Sequence, residues 1–141
     1  KEGEKKMKLL HFTNEKFDRF DPEKLGSATI ERQDDYDAFV DVSNFGFCFV
    51  RPEDEAYLVG TYGKDFGKYI AVCDFDADKN NSFESTYDDF VAWVDRDGTD
   101  AVKSELKDEG VEYLYLDNGN FVEIIPLNIN KVKIEAWKEN K

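Results

Sequence analysis

The amino-acid sequence predicts an α+β fold, and three observations carry that prediction. The last third of the chain, VEYLYLDNGNFVEIIPLNINKVKIEAW, is typical of strand, turn, strand, short break and strand. Within it, Asn118-Gly119 is a strong hairpin signal because both residues tolerate a positive φ. Apolar residues recur on one helical face over residues 87–94, and the run KYIAVCDF at 68–75 predicts a buried strand. Strands at both ends of the chain with helices between them follow from this pattern.

The first half of the chain contains shorter signals. A strand is predicted over residues 7–12, and Phe17 and Phe20, three residues apart, indicate one turn of helix. The acidic stretch at 34–44 is compatible with a helix or with extended chain. The aromatic, β-prone run at 45–50 predicts another strand.

Pro52 opens a predicted helix at its first turn, where Glu53, Asp54 and Glu55 suit the helix dipole. This helix is expected to run through Tyr57 and to fade near residues 60–63.

Two further helices are predicted from their boundaries. The S-x-x-D sequence that starts at Ser85 resembles a capping box for a helix that ends before Gly98. A second short helix is expected over residues 100–109, with Thr99 as its cap and Gly110 as its stop.

Composition limits the class of protein. The chain has 141 residues with 40% hydrophobic and 15% aromatic residues, which suits a packed core and a single domain at 7–141 behind a frayed, charged segment at 1–6. The formal net charge of −13 disfavours a nucleic-acid binder and an anionic membrane surface. Neither a membrane-spanning run nor a signal peptide is recognised, so a cytoplasmic location is expected.

Cysteine and acidic residues give no metal prediction. Cys48 and Cys73 lie in apolar runs and are predicted to be buried thiols in a reducing compartment. The alternating aspartates at 74–78 resemble the start of a calcium loop, but Lys79 stands where that loop needs glycine and Ser85 where it needs glutamate. The acidic run is therefore predicted to be a solvated face.

Several weak motifs follow one another in an order that is informative as a series. They are His11-Phe12-Thr13, the F-x-x-F at 17–20, the strand Gly46-Phe47-Cys48-Phe49-Val50, an acidic helix with tyrosines, and the run EIIPLNINKVK that starts at Glu123. The series resembles the ADP-ribosyltransferase superfamily, in particular the small H-Y-E type domains of phages and polyvalent mobile-element proteins. The resemblance covers residues 8–133 and implies a split mixed or antiparallel sheet with short flanking helices.

The resemblance also implies a cofactor site for NAD+ as co-substrate. His11 would hydrogen-bond a ribose hydroxyl, the Phe12 backbone would hold the nicotinamide amide, and Thr13 completes that motif. Tyr62 or Tyr57 would stack on the nicotinamide ring.

The catalytic residue that the resemblance implies is Glu123. Its carboxylate would bond the 2′-hydroxyl of the nicotinamide ribose and stabilise the oxocarbenium-like cation that forms as nicotinamide leaves. Phe121, two residues earlier, stands where arginine-modifying members carry an acid or amide, so arginine is not the favoured target.

The sequence therefore predicts a mono-ADP-ribosyltransferase of phage or mobile-element origin that acts on an unidentified acceptor, with a basic host protein favoured by the negative charge. Binding the anionic dinucleotide would need a local basic or amide-rich pocket, for which Arg51, Lys64 and Lys68 are candidates.

Two alternatives remain open. One is a non-enzymatic acidic protein that mimics DNA, with Asp34, Asp35 and Asp37 as contact candidates. The other is a catalytically silent binding module with the transferase fold.

Overall fold

Residues 7–20, 45–77 and 79–140 are described by a computed structural model, and they form an α+β arrangement of one mixed seven-stranded sheet and three α-helices. The strands are β1 (Met7–Thr13), β2 (Phe49–Val50), β3 (Tyr69–Phe75), β4 (Ser82–Thr86), β5 (Tyr113–Asp117), β6 (Val122–Pro126) and β7 (Val132–Glu139). The helices are α1 (Glu55–Tyr62), α2 (Tyr87–Asp97) and α3 (Thr99–Asp108). No helix of this described part is long and apolar enough to cross a membrane.

The sheet has the strand order β4-β5-β6-β2-β1-β3-β7, in which only β4 and β5 run parallel. Its centre is sparsely paired because β2 is two residues long. β2 pairs with β6 through Phe49 and Val50, and with β1 through the single pair Leu10 and Val50. By contrast, β1 and β3 pair along seven residues. Two well-paired groups of strands, β4-β5-β6 and β1-β3-β7, are thus joined through one short strand.

The three helices cover one face of the sheet, which we call the helix face. Residues of α2 and α3 pack there against Leu114, Leu116 and Ile125. Leu58 of α1 packs against a neighbouring cluster that includes Leu10 and Val50. Because side chains alternate along a strand, the residues between these positions point to the opposite face.

The opposite face, which we call the aromatic face, is covered by phenylalanine and tryptophan rings from outside the strands and from β7. Leu9, Phe49, Ala71, Cys73 and Ile124 point to it from the strands. Their covering side chains include Phe17, Phe20, Phe47 and Trp137.

Most element predictions are confirmed. β1, β3, the β5–β6 hairpin, the break at residues 129–131 and β7 lie where the apolar pattern predicts strands. The helix after Pro52 begins as a 3₁₀ turn over Pro52–Asp54 and continues as α1. The frayed segment at 1–6 and the acidic stretch at 34–44 lie outside the described residues.

Two element predictions are wrong in the aromatic segments. Phe17 and Phe20 do not lie on a helix; their rings contact each other with centroids 4.9 Å apart across a bent segment packed on the aromatic face. In the run at 45–50 only Phe49–Val50 is strand. The Cys48 carbonyl that could extend the ladder instead lies 2.8 Å from a ring nitrogen of His11.

The predicted cap of α2 is also wrong by one residue. Thr86, not Ser85, precedes the helix, and its hydroxyl accepts a hydrogen bond from the Asp89 backbone N–H at 3.1 Å. Ser85 belongs to β4, a strand that the sequence analysis did not predict. The capping motif is thus T-x-x-D, because Ser85 lies within β4 and the helix begins only after Thr86.

Candidate active site

Glu123 is a buried carboxylate in the middle of the sheet. It lies on β6, opposite Val50 of β2 and Leu116 of β5, and is 5% exposed. Because these two neighbours belong to different apolar clusters of the helix face, Glu123 sits at the seam between the cluster under α1 and the cluster under α2 and α3. A glutamate that is this buried is uncommon.

The tyrosines predicted to stack on nicotinamide lie on the α1 side of the helix face. Tyr62 is 42% exposed and stacks on Phe66, with ring centroids 5.3 Å apart. Tyr57 is 38% exposed and lies beside Phe121, at 6.3 Å. Both tyrosines therefore offer ring surface to solvent, and Tyr62 already has an aromatic ring on one side.

Phe12 also points to the helix face, because it lies two residues from Leu10 on β1 and opposite Ile70 on β3. Its ring contacts Phe66 edge-on at 4.9 Å. The helix face thus carries Phe12, both tyrosines and Glu123. The structure brings these four predicted residues to one side of the sheet.

His11 points to the aromatic face. It shares that face with Leu9, and its ring centroid is 5.0 Å from that of Phe20 and 5.1 Å from that of Phe49. Its Nδ1–H donates to the Cys48 carbonyl oxygen, with 2.8 Å between nitrogen and oxygen. A carbonyl can only accept, so this contact fixes the neutral tautomer with the proton on Nδ1.

The ring of His11 is enclosed although the residue as a whole is half-buried. Burial lowers its pKa from 6.5 to about 4, against a smaller raising effect of the hydrogen bond to Cys48. His11 is therefore neutral near pH 7. The sheet separates it from Glu123, so the two residues cannot contact one ribose from the same side in this arrangement.

Thr13, the third residue of that predicted motif, is engaged locally. Its hydroxyl donates to the Glu15 carbonyl at 3.3 Å and lies 3.4 Å from the Glu15 backbone nitrogen. This contact closes a turn directly after β1.

The basic residues proposed to bind the dinucleotide are either paired with other side chains or exposed. Arg51 donates from Nε and Nη2 to the two carboxylate oxygens of Asp54, at 2.9 and 3.0 Å, and from Nη1 to the Tyr115 hydroxyl at 3.1 Å. The Asp54 carboxylate, through these hydrogen bonds, raises the pKa of the Arg51 guanidinium. Lys64 and Lys68 are exposed.

Asp54 is a second buried carboxylate that sequence reasoning did not single out. It is 7% exposed and, besides Arg51, accepts a hydrogen bond from the Val122 backbone N–H at 3.1 Å. It thereby ties the start of α1 to the strand that carries Glu123. The three-residue spacing of Arg51 and Asp54 in R-P-E-D, which suits an ion pair within one helical turn, is the sequence feature that could have indicated this contact.

Two cavities among the described residues lie elsewhere. One, of about 590 Å³, lies beside α3 and the entry to β5, and the other, of about 240 Å³, adjoins it near Pro126. Neither is lined by any of the predicted site residues. No family model, curated protein or solved structure matches this chain.

Proposed function

We propose that this chain is an ADP-ribosyltransferase that uses Glu123 to cleave NAD+ and transfers the ADP-ribose to a protein acceptor. The observation that carries the proposal is the position of Glu123. It is a buried carboxylate on a central strand, on the face that also bears Tyr57, Tyr62 and Phe12. A glutamate is rarely buried to this degree, and buried ionisable groups are a feature of functional sites.

The strand order also supports the proposal. The resemblance depends on segments that the fold places on β1, β2 and β6, and these three strands are direct neighbours. The sparse pairing of β2 with β1 agrees with the split sheet expected of the superfamily. The finer fold assignment is part of this proposal.

Glu123 acts on the charge that develops during bond cleavage. The bond between the nicotinamide nitrogen and ribose C1′ breaks, and its electron pair leaves with nicotinamide. A carboxylate beside the resulting cation stabilises it more strongly in an apolar site than in water. The acceptor then forms a bond to C1′ and loses a proton; with water as acceptor the outcome is hydrolysis.

The proposal departs from the resemblance at His11. Because this side chain lies on the aromatic face and donates to Cys48, we assign it the role of a positioning residue that fixes the start of β2. The proposal also requires an opening at the seam between α1 and the α2–α3 pair, since Glu123 is 5% exposed.

The test is release of nicotinamide from NAD+ in the presence of cell lysate. We expect wild-type protein to release nicotinamide, and Glu123→Gln to lower the rate by about 100-fold or more, as for loss of one group that stabilises transition-state charge. Glu139→Gln, an exposed carboxylate on edge strand β7, is the matched control and should keep the wild-type rate.

Thermal unfolding of all three proteins shows whether each is folded, and a mass increase of ADP-ribose on a lysate protein separates transfer from hydrolysis. Absence of nicotinamide release from folded wild-type protein, or equal rates for wild type and Glu123→Gln, would overturn the proposal.

A second candidate function is supported by the surface of α2 and α3. Residues 87–109 carry eight exposed carboxylates against three cations, a net charge of −5 over 23 residues. The carboxylates are Asp88, Asp89, Asp95, Asp97, Asp100, Glu105, Asp108 and Glu109. We propose that this acidic hairpin docks a basic protein by charge complementarity. Asp34, Asp35 and Asp37 of the DNA-mimic hypothesis lie outside the described residues.

This candidate is tested with poly-L-lysine as a defined basic partner. The triple variant Asp95→Asn, Glu105→Gln, Asp108→Asn should bind more weakly than the control triple variant Glu15→Gln, Asp65→Asn, Glu139→Gln, which has the same net charge. Equal affinities of the two variants would show that net charge alone is responsible and would exclude the hairpin as the docking surface.

A further inference from the structure

We propose that the cavity beside α3 binds a small organic anion that carries a phosphate group and an apolar or aromatic part, such as a nucleoside monophosphate. This site is separate from Glu123 and does not depend on the transferase proposal. The cavity volume of about 590 Å³ lies within the range of about 300–1,000 Å³ that is typical of small-molecule sites.

Apolar side chains form the inner wall of the cavity. Phe45 and Leu106 are buried, and Val111 and Leu127 are partly exposed, so the last two offer apolar surface to a ligand. Contact with this wall would remove the apolar part of a ligand from water.

Cations stand at the edge of this wall. Lys103, Lys107 and Lys131 line the cavity together with one carboxylate, Glu112. Lys131 donates to Glu112 at 3.1 Å. The other two lysines of the lining, Lys103 and Lys107, are not part of this ion pair. A local positive charge within a chain of net charge −13 selects an anionic ligand.

The partial negative charge at the carboxyl end of α3 only partly offsets this preference for an anion. The carboxyl end of a helix is partly negative, which by itself disfavours an anion. Here the carbonyls of Leu106 and Lys107 accept hydrogen bonds from the backbone N–H groups of Val111 and Gly110, both at the end of the helix. With these carbonyls satisfied, the two full charges of Lys103 and Lys107 exceed the partial charge of the helix end. The exposed carboxylates of Asp108 and Glu109 at the same end lie outside the cavity lining. Lysine ammonium groups bind phosphate as point charges.

Titration of ¹⁵N-labelled protein with adenosine monophosphate tests the proposal. We expect saturable shifts at the backbone amides of Gly110, Val111 and Asn128, with a dissociation constant on the order of 1 mM or below. Adenosine alone, which lacks the phosphate, and inorganic phosphate alone, which lacks the ring, should each bind at least about tenfold more weakly.

The variant Lys103→Gln, Lys107→Gln should weaken binding of adenosine monophosphate by about tenfold, since each exposed ion pair contributes up to about 1 kcal/mol. The matched control Lys16→Gln, Lys133→Gln removes two exposed lysines outside the cavity lining and should change affinity less than about twofold. The amide spectrum of each variant shows directly that it is folded.

Three outcomes would overturn the proposal. They are shifts that do not include the cavity amides, binding of inorganic phosphate as tight as that of adenosine monophosphate, and equal weakening in both lysine variants. Glu123→Gln should bind adenosine monophosphate like the wild type, so that loss of transferase activity and loss of this site are separate results.

Discussion

At the scale of single residues, His11 combines a sequence position for which NAD+ binding is expected with surroundings that keep the imidazole neutral. Four phenylalanine rings, those of Phe17, Phe20, Phe47 and Phe49, lie within 6.3 Å of its ring centroid. Within the described part of the chain, its ring donates a hydrogen bond to the Cys48 carbonyl. His11 therefore connects β1 to the segment before β2. The ladder between β1 and β2 consists of the single pair Leu10 and Val50.

This environment predicts a pH-dependent stability. Burial lowers the pKa of His11 from 6.5 to about 4. The unfolded chain therefore binds a proton at this residue below pH 6.5, whereas the folded chain binds it only near pH 4. Stability should therefore fall as the pH decreases through this interval, by up to about 3 kcal/mol. Urea unfolding at several pH values between 7 and 4 measures the loss.

The contribution of His11 is isolated with His11→Asn. Asparagine keeps an N–H donor near the position of Nδ1 but does not titrate. Its stability should depend less on pH than that of the wild type between pH 6.5 and 4. Identical pH profiles for the two proteins would show that carboxylates alone cause the loss and that the His11 ring is accessible to protons in the folded state.

At the scale of elements, the start of α2 depends on one hydroxyl. Thr86 accepts the Asp89 backbone N–H, whereas the Ser85 hydroxyl donates to the Thr86 carbonyl at 2.8 Å. Thr86→Ala should lower the free energy of unfolding by about 1 kcal/mol, and Thr86→Ser should keep most of it. Ser85→Ala is the matched control with a smaller expected loss. If chemical unfolding shows a larger loss of unfolding free energy for Ser85→Ala than for Thr86→Ala, Ser85 and not Thr86 caps the helix.

The segment before β2 predicts a second contrast, between two glycines. A Cβ on Gly46 would lie 2.7 Å from the Pro126 carbonyl oxygen and 2.8 Å from Cγ2 of Ile125, so Gly46→Ala should destabilise by about 1–3 kcal/mol. A Cβ on Gly60, inside α1, meets nothing within 4 Å. Gly60→Ala should therefore stabilise by about 0.5–1 kcal/mol. Equal thermal shifts for both variants would contradict the close approach at Gly46.

Elements with a clear period were predictable from the sequence, and the others were not. α2 places Tyr87, Phe90 and Val94 on one buried face, and the pattern alone reveals this. β4, with sequence SFEST, carries few apolar residues and pairs only with β5 through the backbone ladder. No local signal identifies it, because its parallel partner lies about thirty residues away in the chain.

For the candidate site, the sequence proposes residues but does not determine their arrangement. The sequence singled out Glu123 and His11, yet which face of the sheet each one occupies depends on strand register. A shift by one residue exchanges the two faces of a strand. The register of β2 rests on the close approach at Gly46 and on the His11–Cys48 contact, neither of which follows from a local pattern.

At the scale of the whole molecule, the charge of −13 is unevenly distributed. The α2–α3 region at 87–109 carries −5 of it, and Lys103 and Lys107 of that same region lie with Lys131 in the lining of the cavity beside α3. The described ion pairs that link distant segments, such as Lys8 with Asp74 and Lys138 with Glu55, lie on the surface. Such exposed pairs contribute little, so repulsion among carboxylates should exceed their attraction.

This balance predicts that salt stabilises the protein. Between about 0.01 M and 0.15 M NaCl the screening length falls from about 30 Å to about 8 Å, which weakens repulsion spread over the surface. The urea midpoint, measured with an uncharged denaturant, should therefore rise with NaCl.

The triple variant Asp95→Asn, Glu105→Gln, Asp108→Asn should be more stable than the wild type at low salt and should gain less from added NaCl. The control triple variant Glu15→Gln, Asp65→Asn, Glu139→Gln should show a smaller change, because its carboxylates lie outside the acidic stretch at 87–109. A midpoint that decreases with NaCl in the wild type would mean that the surface ion pairs, not the excess of carboxylates, determine the electrostatic part of its stability.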